Sequence, residues 1–346
     1  MSPCSAPLRR RRGGVAGERV RVSRTRRRRR GALQVFILLA TLTPASAAVF
    51  RTGQPVMGTV LQVTIVASDD ASARALAQAA LAEARHWDDV LTTWRPEGEL
   101  AQLNTHAGGG PVLLGPQLSS ALRAMQRLCT ATHGAFDPAV GAIVDLWRGP
   151  APPTAARQES VAPRHLAAAL ILDGQRATLA AGAKLDAGGI GKGMALDAVA
   201  AMLRARGVEA AYLDFGGSSQ LAIGAPPGEP EGWRVAVSGL APNQMLGVLS
   251  LRDAALSTSR AAEGPSAAGP IIDPQSGRPV MAARVTTVRA ADATSAEAWS
   301  KALIIRGRDG MQQARAGGLD VLLEDQDGIV RSPGFALEEF GELSIE

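Results

Sequence analysis

Strict alternation first appears over residues 57–67. Leu61, Val63 and Ile65 fall on one face and Val60, Gln62 and Thr64 on the other, the period-two signature of a half-buried strand. From Asp69 and Asp70 the period lengthens. Leu76, Ala80, Ala84 and Trp87 recur near helical spacing and predict an amphipathic helix through about Leu91. A second helix is predicted from about Gln117 to Thr132, stopped at His133-Gly134. The proline- and alanine-rich stretch from Pro150 to Pro163 reads as a surface loop, and 170–186 as a pair of short strands. Gly193 to Arg206 reads as a helix ended by Gly207, with a strand at Ala211 to Phe215 after it. From 219 to 290 the pattern is short strands broken by glycine and proline. Helices near 295–306 and 309–316 then precede a last strand at Leu319 to Leu323. No fixed-period repeat is visible, which argues against a solenoid or propeller. Helices clustered between sheet-forming stretches predict an α+β protein.

Composition supports a folded chain: 346 residues, 46% apolar and 20% charged. The net charge of +5 invites a nucleic-acid reading until its distribution is followed. Residues 1–47 hold twelve arginines against one acid, Glu18; the remainder carries 25 basic and 31 acidic residues. The part expected to fold is therefore acidic, and no nucleic-acid partner is expected.

Residues 1–47 read as an export signal. The run Arg26 to Arg30 precedes an apolar segment, Gly31 to Leu42, and the small-residue pattern Pro44-Ala-Ser-Ala47. The apolar segment falls short of the about 20 residues that span a bilayer. Cleavage is expected near Ala47, leaving 48–346 as one exported, periplasmic domain. The alternative is a basic arm ahead of a core strand. Of the two cysteines, Cys4 lies in the predicted signal, and Cys129 sits in a helical pattern where it reads as a structural residue.

The four histidines form no H-E-x-x-H pair, and no Cys/His set has zinc spacing. Gly216-Gly-Ser-Ser-Gln220 departs from G-x-S-x-G at its last position. Asp186-Ala-Gly-Gly-Ile-Gly-Lys-Gly193 matches neither the Walker nor the dinucleotide pattern, yet its physics suits an anion. Glycines allow close backbone approach, a helix start offers N–H groups, and Lys192 adds a positive charge. A plain strand-to-helix turn with a solvent-facing lysine is the other reading.

Leu185 to Asp197 resembles the signature of ApbE-type FAD:protein FMN transferases. Further pieces follow in that family's order: Met57-Gly-Thr59, Trp94 to Asn104, Gly134 to Gly141 with Leu146-Trp147, Asp214-Phe-Gly-Gly217, Leu256 to Ser259, Ile271 to Gly277, and Ala296 to Gly307. The resemblance covers roughly 50–340. It implies a T-fold-like α+β architecture of mixed sheets with flanking helices, in two interlocked lobes with FAD in the cleft between them. It also implies cleavage of FAD and attachment of FMN, through a phosphoester, to a Ser or Thr hydroxyl of an acceptor protein, assisted by Mg²⁺. The resemblance also allows an acceptor associated with the inner membrane. A catalytically weakened relative that binds or carries flavin is the alternative.

By position, the resemblance implies FAD contacts at Met57, Trp94, Ala135, Phe136, Asp137, Asp186, Lys192 and Ile272, with Lys192 and Glu297 as catalytic residues. Trp94 either stacks on a flat ring or is a core residue. Asp137 either meets the ligand or makes a turn before Pro138, and Asp186 either meets the ligand or caps the next turn. The implied metal ligands are the Gly189 carbonyl, Thr294 and Glu297, with Asp292 a nearby oxygen donor. Lys301 stands where the family usually has a threonine ligand, Pro270 where it often has histidine, and Arg260 where it often has glycine. Lys301 either points away, pairs with Glu297 as a surface i,i+4 contact, or replaces the cation.

Overall fold

The structure, a computed structural model, describes residues 47–148, 153–161, 163–261 and 271–338. The predicted export signal up to Ser46, Pro150 and Pro270 lie outside the described residues. The chain opens as a hairpin of β1 (Ala48–Val56) and β2 (Thr59–Ala67), in register from Ala48 opposite Ala67 to Val56 opposite Thr59. The alternation read over 57–67 belongs to β2. Strand β1 was not legible because Gly53 and Pro55 interrupt it, and it tolerates a proline because it lies at a sheet edge. The connecting turn, Met57-Gly58, has both residues at positive φ (52° and 73°), the primed turn whose twist suits a two-residue hairpin.

Helix α1 (Asp70–Leu91) begins where expected, with Asp69 accepting the Ser72 N–H at 2.8 Å. Then come α2 (Glu99–Thr105), β3 (Val112–Leu113), α3 (Pro116–Ala131), α4 (Gly141–Trp147), α5 (Ala155–Ser160), α6 (Leu166–Ala169), β4 (Leu170–Asp173) and β5 (Arg176–Leu179). Strands β3, β5 and β4 form a small sheet in that order. The stretch read as a loop from Pro150 to Pro163 instead contains α5, whose first turn is capped by Thr154. With α2 and α4 it is too short for helical periodicity to stand out.

The rest comprises α7 (Gly191–Ala205), β6 (Ala210–Phe215), β7 (Ser219–Ile223), β8 (Trp233–Ser238), β9 (Met245–Leu251), β10 (Ala254–Ala261), β11 (Ile272–Asp273) and β12 (Arg278–Pro279). After these come β13 (Arg284–Ala290), α8 (Ala293–Arg306), a 3₁₀ turn, α9 (Met311–Ala316), β14 (Asp320–Asp325) and β15 (Gly328–Arg331). The main sheet runs β1-β2-β6-β7-β10-β13-β14-β15, each neighbour antiparallel.

Both faces of the middle of that sheet are covered, and strand parity shows how. Leu221 and Ile223 of β7, Ala255 of β10, and Val321 and Leu323 of β14 face the core shared with α1, α7 and α8. Their neighbours Ala222, Leu256 and Leu322 face the other way, against Val235, Val237, Leu249 and Leu251 of the β8–β9 hairpin. This explains why every residue of β7 is buried and no alternation survives there. On the helical face α7 lies between α1 and α8.

Candidate functional site

At the start of α7 the chain forms a pocket of about 400 Å³. Its walls are the β1–β2 turn, the end of α1 through Arg95, Arg148, and the glycine-rich loop ending at Lys192. Four of the expected FAD-contacting residues line it: Met57, Trp94, Asp186 and Lys192. Trp94 is 74% exposed, which excludes the core reading. Its ring lies under the Arg148 guanidinium, 4.7 Å from carbon to ring centroid. Asp186 makes the turn, accepting the Gly188 N–H at 2.7 Å, and turns its other oxygen to Arg148 at 3.5 Å.

The remaining expected contacts do not line this pocket. Asp137 makes a turn: it is buried and accepts N–H groups from Ala139 at 2.8 Å and Leu166 at 3.0 Å. Ala135 is buried in the main core, and Ile272 packs with Ile143 and Val144 in a separate small cluster. Phe136 supports the glycine loop from below. A Cβ placed on Gly189 would stand 3.2 Å from its ring and 3.3 Å from Lys301 Cδ. Cys129 is half-buried, and burial, reinforced by the Asp137 charge, pushes its thiol up to about 12, so it stays protonated at neutral pH.

Helices α7 and α8 meet at Gly193, where any Cβ would collide with the Ala293 carbonyl oxygen. That approach lets the Gly193 N–H donate to Glu297 Oε2 at 2.8 Å. The Ser219 hydroxyl donates to Glu297 Oε1 at 2.8 Å. Lys192 Nζ lies 2.9 Å and Lys301 Nζ 3.7 Å from the same Oε1. Burial alone would raise the Glu297 pKa. The Lys192 and Lys301 charges and the Gly193 N–H overcome it and hold the group below the ordinary carboxylate range. Burial pushes Lys301 down to about 8, with Glu297 opposing the shift and Lys192 adding to it.

The expected side-chain Mg²⁺ ligands do not fit a divalent cation. Glu297 is surrounded by four internal donors. The Thr294 hydroxyl donates to Asp197, which also accepts the Ala293 and Thr294 N–H groups at 2.8 and 2.9 Å. Asp292 caps α8 through the Ser295 N–H at 2.7 Å. Lys301 brings a positive charge to the position where the resemblance implies a threonine ligand. Among the described residues no group of three or more His, Cys, Asp or Glu is arranged to hold a metal ion. Arg260 is directed elsewhere, donating to the Gly239 and Leu240 carbonyls.

Two contributors were missed. Arg148 directly follows Leu146-Trp147, but a single arginine beside an unread helix carries no local signal. Asp197 closes the Leu185 to Asp197 signature, yet its role as the organiser of α8's first turn depends on a partner about a hundred residues away.

A model of the ApbE family matches residues 51–323. A Rhodobacter capsulatus protein named FAD:protein FMN transferase is 32% identical over 292 residues, covering 80% of this chain. The chain spans about half the length of that relative, 55%. A Klebsiella pneumoniae protein of the same name is 28% identical over 308 residues, covering 83% of this chain and 87% of its own length. Among solved structures, the flavin transferase ApbE from Vibrio cholerae aligns with TM-score 0.74 and 24% identity, over 83% of this chain and 97% of that one. That last likeness concerns the fold.

Proposed function

The chain belongs to the ApbE family, and from that membership we propose that it is an FAD:protein FMN transferase acting on a Ser or Thr hydroxyl of an acceptor protein. The observation that carries this reading is the pocket in which an exposed Trp94, the glycine-rich loop and Lys192 stand together. An exposed indole beside a helix start suits a ligand with a flat ring at one end and phosphates at the other.

In the step itself, the acceptor oxygen bonds to the phosphorus of the FMN half. The bond from that phosphorus to the bridging oxygen breaks, AMP leaves with the electron pair, and the hydroxyl proton passes to solvent. Such a transfer needs alignment and neutralisation of phosphoryl charge more than covalent help. Lys192 and the positive end of the α7 dipole supply neutralisation from this chain, the Gly193 N–H being already held by Glu297. The reading includes export to the periplasm with cleavage near Ala47.

The test is incubation with FAD and a candidate acceptor, followed by denaturing electrophoresis. Yellow fluorescence that stays with the acceptor band supports transfer. Fluorescence lost on denaturation favours the second reading, a flavin binder or carrier, for which the altered surroundings of Glu297 are the specific motive. AMP release without a labelled acceptor would mean hydrolysis instead.

A further inference from the structure

Behind the glycine-rich loop, two ammoniums share one carboxylate. Glu297 is 1% exposed in its side chain, and both Lys192 and Lys301 direct Nζ at its Oε1. Their own side chains are only about one-fifth exposed. Two positive charges against one negative leave the cluster with a surplus positive charge partly withdrawn from water. A desolvated charge is tolerated when it is paired. The group this cluster lacks is therefore an anion, and the group it resists is another cation. Lys301 is also held in place: its stem lies against Gly189, and its Nζ is 3.4 Å from the Glu297 carbonyl oxygen. It thus stands against Gly189 of the glycine-rich loop, whose Gly188, Gly191 and Lys192 line the pocket.

We propose that Lys301 is the resident cation of this site, so that the pyrophosphate of a bound dinucleotide is neutralised without a divalent metal ion. This rests on the FAD reading above and deepens it. Lys301 does not point away, and its expected i,i+4 pair with Glu297 does form, but with a carboxylate only 1% exposed, so it is not an ordinary surface contact.

The experiment is a fluorescence titration of the purified protein with FAD at pH 7, once in EDTA and once in millimolar Mg²⁺. Affinities agreeing within about twofold are expected. The variant Lys301→Thr, checked for an intact unfolding transition, is expected to bind FAD about 10-fold or more weakly in EDTA, as for loss of a charge-assisted contact. Wild-type binding that collapses on chelation overturns the role of Lys301 and leaves the flavin reading intact. A Lys301→Thr protein with full affinity in EDTA also overturns it. No FAD binding in either solution sinks the flavin reading, and this inference with it.

Discussion

Met57 holds a left-handed backbone conformation, with φ of 52°, which costs a bulky L-residue about 1–2 kcal/mol. Asparagine or glycine is the usual occupant of such a hairpin turn, so a methionine there points to a use for the side chain, and Met57 does line the pocket. Replacement by Asn is expected to leave stability equal or up to about 1 kcal/mol higher while weakening FAD binding. Urea unfolding and a flavin titration on the same variant check both halves, and a less stable protein would contradict the strain argument. Trp94 presents the opposite balance. Its indole is mostly exposed, so Trp94→Ala should leave the melting midpoint nearly unchanged yet cost about 1–3 kcal/mol of nucleotide binding if a ring stacks there. An unchanged FAD affinity would remove Trp94 from the site. Both residues were recognisable in the sequence as positions in an ordered set of motifs. Their exposure and backbone strain were not, because these depend on neighbours far along the chain.

At the scale of elements, the site depends on how closely α7 approaches α8. The glycine at 193 reads locally as a helix start, and that much was legible. Its reason is tertiary: the missing side chain lets α7 seat against Ala293 and reach Glu297. Gly193→Ala is therefore expected to destabilise the protein by about 1–3 kcal/mol, in the range of overpacked cores, and to weaken FAD binding by displacing the loop. Chemical denaturation and titration measure the two effects, and a variant as stable as the parent would show that the helices can part without cost. The longer helices were visible because amphipathic periodicity accumulates over several turns, as in α1 and α3. The seven-residue α2 and α4 and the edge strand β1 gave no comparable pattern.

On the scale of the whole molecule, charge separates the first 47 residues from the rest. Strand β1 starts at Ala48, immediately after the expected cleavage point. A chain beginning at Ala48 is expected to unfold at the same midpoint as the full-length chain and to migrate as an anion at pH 8, since 31 acids outnumber 25 bases beyond Ala47. A clear drop in midpoint on trimming would favour the basic-arm alternative. Local order along the chain was enough to establish the α+β class, the main helices, the acidic character of the folded part and the likeness to a flavin-handling family. Those properties reside in periodicity, composition and motif sequence, each carried by a few dozen consecutive residues. The environment of Glu297 arises otherwise. Its Ser219 and Gly193 partners lie 78 and 104 positions away, and the meeting of two lysines on one buried oxygen exists only once the sheet has brought α7 and α8 side by side. Coulombic interaction and desolvation act through space, so no reading of neighbouring letters can supply them.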